Sequence, residues 1–248
     1  MKQDRVLSTI LPIYIVCDES ASMETNGGIN AVNNGLPELH RAIASDPLVS
    51  DRCQIGLISF SDIAEELLPL SNLSDVMAMP GLVAKAMSNY GGAFNLLREV
   101  IARDIANMKS QGIQVYRPVV FFISDGDPTD DWEASHRALT DKNINPQAPH
   151  IIALGIAGAN QVVIDKIGTK GAFIQDNDIN IFTIVKQIIF SANQNNYPYP
   201  SADQKLSTSD FRPTIKKEKV SKKKVSVKWV ASYLAGVLII RLIIYLAS

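Results

Sequence analysis

Three oxygen-bearing side chains lie close together near the start of the chain. Asp18, Ser20 and Ser22 follow an apolar run at residues 10–17, which is short and rich in β-branched residues and therefore predicts a buried strand. A carboxylate and two hydroxyls on one loop suit a hard cation such as Mg²⁺, which also retains several waters. The alternative is that Asp18 and Ser20 only cap the following helix, since both residue types are common helix caps.

A second apolar run, residues 118–124, also ends in an acidic residue, Asp125, which is followed by Gly126. In an open parallel sheet, ligands gather outside the carboxyl ends of the strands, where the strand order reverses. Asp18 and Asp125 are therefore expected to lie close together. Two like charges at such a point are unfavourable unless a cation neutralises them, which strengthens the prediction of a metal site.

A glycine-rich stretch at residues 90–96 precedes a long helical pattern and completes a set of three motifs. The order and spacing of these motifs over residues 8–193 resemble those of the von Willebrand factor type A (vWA) family. Within that family, residues 33–36 and 125–132 resemble the bacterial tellurium-resistance-associated branch.

This resemblance implies a fold and a site. The implied fold is a Rossmann-like, three-layer α/β fold, with a mostly parallel central sheet, one antiparallel edge strand and helices on both faces. The implied site is a metal-ion-dependent adhesion site (MIDAS), whose metal positions are matched here by Asp18, Ser20, Ser22 and Asp125. In the family such a site binds Mg²⁺, with Mn²⁺ or Ca²⁺ as alternatives, and an acidic side chain of a protein partner completes the coordination.

One position departs from the family pattern. The family's threonine is matched by Ala93, which has no oxygen to offer a metal. Three alternatives follow: a water fills that place, Asn95 reaches in, or the site binds weakly or not at all. Because Mg²⁺ accepts additional waters, the sequence favours a site that is weakened but still binds.

Strand and helix patterns alternate along the chain and predict a parallel α/β sheet covered on both faces. Strands are expected at residues 10–17, 53–60, 64–70, 118–124, 150–156 and 171–174, and helices at residues 28–44, 94–109, 131–142, 161–167 and 181–192. The short turn after residue 60 requires an antiparallel hairpin. Asp127 is expected to cap a helix that has Pro128 in its first position.

The irregular segment at residues 71–89 leads into the glycine-rich stretch and should border the metal site. Its Met77, Met79 and Met87 are either ordinary packing or part of a soft partner-binding rim. The three histidines show no ligand spacing. Cys17 and Cys53 lie in predicted core strands and are therefore expected to be buried. Their number and spacing exclude a disulfide framework.

The charge balance changes near residue 205. The first 204 residues hold 14 basic and 23 acidic residues, whereas the remainder holds ten basic and two acidic ones. The predicted domains are a vWA domain at 1–193, a disordered basic linker at 194–226 and a C-terminal transmembrane helix at 227–248. The apolar run at 229–247 would be about 28 Å long as a helix, close to the thickness of the hydrocarbon core of a bilayer.

Seven lysines between residues 216 and 228 precede this apolar run. By the positive-inside rule they predict a cytoplasmic head domain on a single-pass, C-terminal membrane anchor. Arg241 interrupts the run, and the alternatives are a helix on the membrane surface or one docked on a partner. An acidic head on a basic stalk argues against a nucleic-acid-binding domain.

The function that these features favour is a metal-dependent protein–protein interaction module that is not an enzyme. The chain has no phosphate-binding glycine loop, no nucleophile elbow and no serine placed with a histidine partner, so a phosphatase or hydrolase is the least favoured alternative. A metal-free, membrane-tethered scaffold is the other alternative, because Ala93 lacks the family's oxygen. A role in stress or tellurium resistance is implied only by the resemblance.

Overall fold

The computed structural model describes residues 9–156, 158–175 and 181–194, all within the first of the two units into which the chain divides, Met1–Tyr199. The strands are β1 (Thr9–Asp18), β2 (Cys53–Phe60), β3 (Ala64–Ser71), β4 (Gln114–Val115), β5 (Val119–Ser124), β6 (His150–Gly155) and β7 (Gly171–Ile174). The helices are α1 (Ala21–Thr25), α2 (Gly28–Ala44), α3 (Pro47–Ser50), α4 (Tyr90–Ser110), α5 (Glu133–Thr140), α6 (Gln161–Ile167) and α7 (Ile181–Gln194), with a 3-10 turn at Leu73–Asp75.

The seven strands form one sheet in the order β3-β2-β1-β5-β6-β7, and the short β4 pairs with the start of β1. Every pairing is parallel except that of β2 with β3, which is antiparallel. This confirms the predicted fold class, including its antiparallel edge strand. The strand order reverses between β1 and β5, so their carboxyl ends form the crevice where ligands bind in such sheets.

The sheet is buried on both faces, which explains the nearly continuous apolar runs of its central strands. One core cluster joins the sheet to α2 and α7, and a second joins the opposite face to α4, α5 and α6. The molecule therefore has three layers. Cys17 and Cys53 are buried free thiols, each on its predicted strand.

Helix α2 and helix α7 approach each other closely at Gly35. A Cβ added at Gly35 would lie 2.0 Å from the ring of Phe182, so any larger residue would displace the ring. Phe182 is buried in the core cluster on that face. The glycine in the second half of the sequence motif at 33–36 therefore serves helix packing and not the metal site.

Two helix starts differ from the sequence-based expectation. Helix α4 begins at Tyr90 and not at Phe94, because Asn89 caps it by accepting a hydrogen bond from Gly92 N. Helix α5 begins at Glu133, so the prediction that Asp127 caps it is wrong. Residues 125–132 form a loop instead, and the side chain of Asp130 in that loop serves another helix, as described below.

The predicted linker at 194–226 and the predicted transmembrane helix at 227–248 lie outside the described residues, apart from Gln194 at the end of α7. Among the helices that the structure does describe, none combines the length and the apolar character needed to cross a bilayer. The anchor at the C-terminus thus stays a prediction.

Candidate metal site

Asp18 ends strand β1, and its buried carboxylate receives hydrogen bonds from three different segments. Ser20 N donates to Oδ1 over 2.8 Å, and Ser124 Oγ donates to Oδ2 over 2.7 Å. The hydroxyl of Ser88 lies 3.3 Å from both carboxylate oxygens. The side chain is thus fixed at the carboxyl end of the sheet by the loop after β1, the end of β5 and the segment before α4.

Burial raises the pKa of Asp18 from 3.8 to about 6, because a charged carboxylate loses its hydration in the interior. Hydrogen bonds from Ser124 and Ser20 act in the opposite direction, whereas the nearby charge of Asp125 raises the pKa further. The donors around Asp18 therefore compensate only part of the desolvation of its charge.

Asp125 follows β5 directly and is 3% exposed. Among the described residues, no hydrogen-bond donor reaches either of its two carboxylate oxygens. Buried carboxylates almost always have hydrogen-bond or ionic partners, since an unpaired buried charge is strongly unfavourable. A cation at this point would supply the missing partner, so these orphaned oxygens fit a metal site.

Gly126 turns the chain sharply after Asp125. It has φ +81°, and a Cβ at this position would lie 2.9 Å from Asn160 N and 3.0 Å from Asn160 O. Asn160 N in turn donates to Asp125 O over 2.9 Å. Only glycine allows this left-handed turn against the neighbouring backbone, and the turn holds Asp125 at the end of β5.

Ser20 and Ser22 bring two hydroxyls beside Asp18, and their Oγ atoms are 3.0 Å apart. Ser20 is 3% exposed and occupies the cap position of α1, but its side chain makes no capping hydrogen bond. The alternative that Ser20 serves only as a helix cap is therefore wrong. Its hydroxyl is directed to Ser22, which leaves oxygen lone pairs on both serines for a further ligand.

The structure places Ser88 beside Asp18 and packs Ala93 into the hydrophobic core. Ala93 lies in the first turns of α4 and is fully buried in the core cluster, while Asn95 is exposed on the same helix. Ser88, five residues earlier, is 2% exposed and donates its hydroxyl to Asp18. The hydroxyl that contacts Asp18 from this part of the chain therefore comes from a residue before the glycines.

Ser88 belongs to an irregular segment, residues 82–89, which we call the strap. Asn33 on α2 holds one end of the strap through two hydrogen bonds to Leu82, with Oδ1 accepting from N at 2.7 Å and Nδ2 donating to O at 2.9 Å. The buried Glu19 accepts from Val83 N at 3.2 Å and pairs with Lys85 at 3.0 Å. The loop that carries the D-x-S-x-S motif thus fixes the strap that carries Ser88.

The strap is joined to the loop after β5 as well. Thr129 N donates to Ser88 O over 3.0 Å, and Ser88 N donates to Thr129 Oγ1 over 3.3 Å. In the same loop, Asp130 accepts from Tyr90 N and Gly91 N, each at 2.8 Å. Asp130 therefore caps α4, where its negative charge also favours the helix N-terminus, and this use explains why the loop does not begin α5.

Gly91 permits the approach of Asp130. A Cβ at Gly91 would lie 2.6 Å from Asp130 Oδ2. The glycine-rich stretch therefore positions the strap against the loop that holds Asp125.

Behind Asp18, a chain of hydroxyls leads into an aromatic cluster. Ser124 Oγ donates to Asp18, so it accepts from Gly126 N at 2.9 Å and from the hydroxyl of Tyr90. The Tyr90 ring makes edge contacts with Phe60, Phe94 and Phe122. Sequence reasoning missed the roles of Ser124 and Tyr90, although the Ser124-Asp125-Gly126 order offered a signal for the serine.

The oxygen-bearing side chains that gather here are two carboxylates, from Asp18 and Asp125, and three hydroxyls, from Ser20, Ser22 and Ser88. These are hard oxygen ligands, which suit Mg²⁺ and similar cations. The described residues contain no group of three or more His, Cys, Asp or Glu residues that could hold a metal.

Comparisons with known proteins give a consistent result. The von Willebrand factor type A domain model matches residues 13–187. The pilus adhesin SpaC from Lactobacillus rhamnosus GG is 14% identical with a TM-score of 0.57, covering 75% of this chain and 30% of SpaC. Proximal thread matrix protein 1 from the mussel byssus, with a zinc-occupied MIDAS motif, is 15% identical with a TM-score of 0.51, covering 75% and 48%.

A mutant of the PilB minor pilin from Streptococcus sanguinis is 12% identical with a TM-score of 0.54, covering 75% of this chain and 62% of PilB. The chain therefore spans less than two thirds of the length of each of these three proteins, and at such identities they show the fold alone. A search of curated proteins gives no match. Because the family model covers more than half of the chain, including both aspartate loops and the strap, the chain belongs to the von Willebrand factor type A domain family.

Proposed function

We propose that the chain is a metal-dependent protein–protein interaction module whose site holds Mg²⁺ and accepts an acidic side chain of a partner. The observation that carries this proposal is the buried carboxylate of Asp125, which has no donor among the described residues and lies close enough to Asp18 to raise its pKa. Members of the vWA family often act in metal-dependent protein interactions, which supports the same conclusion.

Each group of the site has a distinct role in this proposal. Asp18 and Asp125 supply the negative charge that attracts a divalent cation, while Ser20, Ser22 and Ser88 supply neutral oxygens. A bound Mg²⁺ offers a coordination position that a carboxylate from outside can fill. Because three of the five donors are uncharged, the two aspartates leave the cation able to attract that further carboxylate.

The histidines support a role without catalysis. His40 and His136 are each engaged with a backbone carbonyl, that of Leu73 at 3.0 Å and that of Ile167 at 2.9 Å. Burial lowers the pKa of His136, which keeps the ring neutral. The ring contacts of His40 and His136 are thus made with backbone carbonyls and not with the hydroxyls of Ser20, Ser22 or Ser88.

The proposal includes the predicted membrane anchor and the cytoplasmic head. Both rest on the sequence of residues 216–247, and the tellurium-resistance-associated branch rests on the motifs at 33–36 and 125–132. The anchor is tested by alkaline carbonate extraction of membranes. We expect the full chain to stay in the membrane fraction and a variant without residues 229–247 to be released.

Metal binding is tested by isothermal titration of the full chain with Mg²⁺ and Mn²⁺, together with thermal unfolding. We expect heat and a rise in Tm for the natural chain, and loss of both for Asp125→Asn. Asp51→Asn, which makes the same change at an exposed position next to α3, is the matched control and should bind as the natural chain does. Absence of heat and of a Tm shift in the natural chain would favour the metal-free scaffold instead.

Partner binding is tested by affinity capture with the full chain in Mg²⁺ and in chelator. We expect capture only in Mg²⁺ and only with Asp125 present. Equal capture by the natural chain and by Asp125→Asn in chelator would show that the interaction does not use the metal site.

A further inference from the structure

We propose that four exposed apolar side chains around the metal site form a docking surface for a partner segment in which apolar residues adjoin the metal-binding acid. We call these side chains, Ile63, Val83, Met87 and Val162, the apolar rim. The inference rests on the proposed function, since the acid of the partner would occupy the metal site. It goes further because it states which kind of residue lies next to that acid in the partner, namely apolar residues.

The exposed apolar residues are unevenly distributed. The large apolar residues that are more than half exposed, among those described, are Leu48, Ile63, Met77, Val83, Met87, Ile144 and Val162. The four members of the rim have exposures of 70%, 71%, 51% and 65%, and all follow the carboxyl ends of strands: three lie on loops, and Val162 lies in the first turn of α6. Single exposed apolar residues are ordinary, but several around one site mark an interaction surface.

Each rim residue is tied to the metal site through the backbone. Met87 directly precedes Ser88, and Val83 N donates to the buried Glu19. Ile63 lies in the turn between β2 and β3, where Ser61 N donates to Ile63 O over 3.1 Å and Asn89 N donates to Ser61 O over 2.9 Å. The rim residues on this side therefore sit on segments that contact one another.

Val162 stands on the other side of the site, in the first turn of α6. Its backbone N donates to Asn160 Oδ1 over 3.2 Å, and Asn160 N donates to Asp125 O over 2.9 Å. Val162 is thus two residues from the backbone that holds Asp125. The rim borders the site from both the strap and the loop before α6.

The strap presents its side chains on a fixed backbone. Lys85 N donates to Glu19 O over 2.6 Å, and Ala21 N donates to Ala86 O over 3.4 Å. The ammonium of Lys85 pairs with Glu19 and Glu65, at 3.0 Å and 2.6 Å. A surface that is ordered before binding loses little conformational entropy on association, which favours affinity from a small apolar area.

The charges near the rim limit the kind of partner. Asp127 and Asp131 are exposed on the loop after β5, and Asp62 is exposed in the turn beside Ile63. The one cation of the strap, Lys85, is already neutralised by two glutamates. These carboxylates would repel a strongly acidic partner everywhere except at the metal. The surface therefore fits a segment with a single acid flanked by apolar residues.

The test is a selection from a random linear peptide library displayed on phage, with the full chain as the target in Mg²⁺ and elution by chelator. We expect the selected peptides to share one acidic residue with apolar neighbours. Their binding should weaken about tenfold or more in the double variant Val83→Ser/Met87→Ser, because each lost apolar contact removes a favourable burial term. The double variant Leu48→Ser/Ile144→Ser is the matched control, since Leu48 is as exposed as Val83, at 71%.

Three results would overturn the inference. They are a consensus that has an acid but no apolar neighbours, equal binding to both double variants, and a failure of any peptide to enrich in Mg²⁺. Failure of the proposed function itself is seen separately, as the absence of a Mg²⁺-induced rise in Tm for the natural chain. The double variant at Val83 and Met87 should keep that rise, which shows that the metal site is intact.

Discussion

The two ends of the sheet carry opposite charge, and they differ in how that charge is accommodated. At the carboxyl end, Asp18 and Asp125 are both nearly inaccessible, and the second has no donor among the described residues. At the amino end, Arg117, His150 and Lys170 stand at or next to the starts of β5, β6 and β7, with Lys142 in the loop before β6. Like charges thus gather at both ends.

The amino end keeps its cations partly in water. Arg117 and Lys170 are half-buried and Lys142 is exposed, so solvent stabilises their charges. The neutral member of the group is His150, whose pKa falls from 6.5 to about 3 because of burial and the charges of Lys170, Arg117 and Lys142. Water stabilises these crowded cations, whereas the buried carboxylate of Asp125 has no hydrogen-bond donor among the described residues.

The two ends also respond to acid with opposite sign in the metal-free protein. Asp18 has a raised pKa, so the folded state takes up its proton first and acid favours folding between about pH 6 and pH 4 at this group. His150 has a lowered pKa, so the unfolded state takes up its proton first and acid favours unfolding. Burial therefore favours the neutral form of each group, which is the protonated carboxyl of Asp18 and the unprotonated imidazole of His150.

The largest expected effect on Mg²⁺ binding comes from Asp125→Asn. Removing an unpaired buried charge should raise the free energy of unfolding of the metal-free protein by about 2 kcal/mol at pH 7. The same variant should lose its stabilisation by Mg²⁺. Urea unfolding of the full chain in chelator and in Mg²⁺ measures both changes. A variant that is less stable than the natural chain in chelator would show that Asp125 is not under electrostatic strain.

The next prediction tests whether position 88 or position 93 provides the hydroxyl that corresponds to the family's threonine. Ala93→Thr should destabilise the fold by about 1 to 3 kcal/mol, because the added atoms have no room in the core, and it should not improve Mg²⁺ binding. Ser88→Ala should instead weaken Mg²⁺ binding about tenfold with a smaller loss of stability. Isothermal titration and urea unfolding of both variants provide the measurements. Tighter Mg²⁺ binding by Ala93→Thr would show instead that position 93 faces the metal, as the sequence motif indicated.

The third effect is the pH dependence at the amino end. The contribution of His150 to stability is fully present above pH 6.5 and is lost as the pH falls toward 3, at about 1 kcal/mol per pH unit. His150→Gln should remove this part of the slope between pH 6 and pH 5. The difference between the natural chain and the variant is the quantity to measure, since the contribution of Asp18 is common to both. Equal slopes would mean that His150 has the same pKa in the folded and in the unfolded state.

The smallest effect is expected for Lys142→Ala. Its exposed charge acts on His150 and Lys170 through solvent, so stability at pH 7 should change by less than about 0.5 kcal/mol. The change should shrink further at high salt, because exposed charges are screened. A loss of more than 1 kcal/mol, measured by urea unfolding, would show that the amino end depends on this cation after all.

Much of the site was predictable because strand ends in a parallel sheet have a fixed relation. The apolar runs before Asp18 and Asp125 identified two central strands, and adjacent parallel strands bring their carboxyl ends together. The structure places both aspartates at the crevice between β1 and β5, as expected. The serines after Asp18 followed from the same local motif, since Ser20 and Ser22 lie within one turn of chain.

The position of Ser88 was not predictable in the same way. The strap has no periodic pattern, and its path depends on contacts with Asn33, Glu19 and Thr129, which are distant in sequence. The prediction that Asp127 caps a helix was wrong for a related reason. The nearby carboxylate of Asp130 caps α4, which is some forty residues earlier in the chain, and the loop is held in that arrangement.

The sequence by itself determined the order of strands and helices, the two aspartates at the ends of adjacent strands and the family resemblance, because these depend on local hydrophobic periodicity and short motifs. Tertiary structure alone decided that Ser88 contacts Asp18, that Ala93 is a core residue and that Asp125 has no hydrogen-bond donor among the residues that the structure describes. The physical reason is that hydrogen-bond partners and burial are set by segments far apart in the chain, which come together only when the strap closes over the end of the sheet.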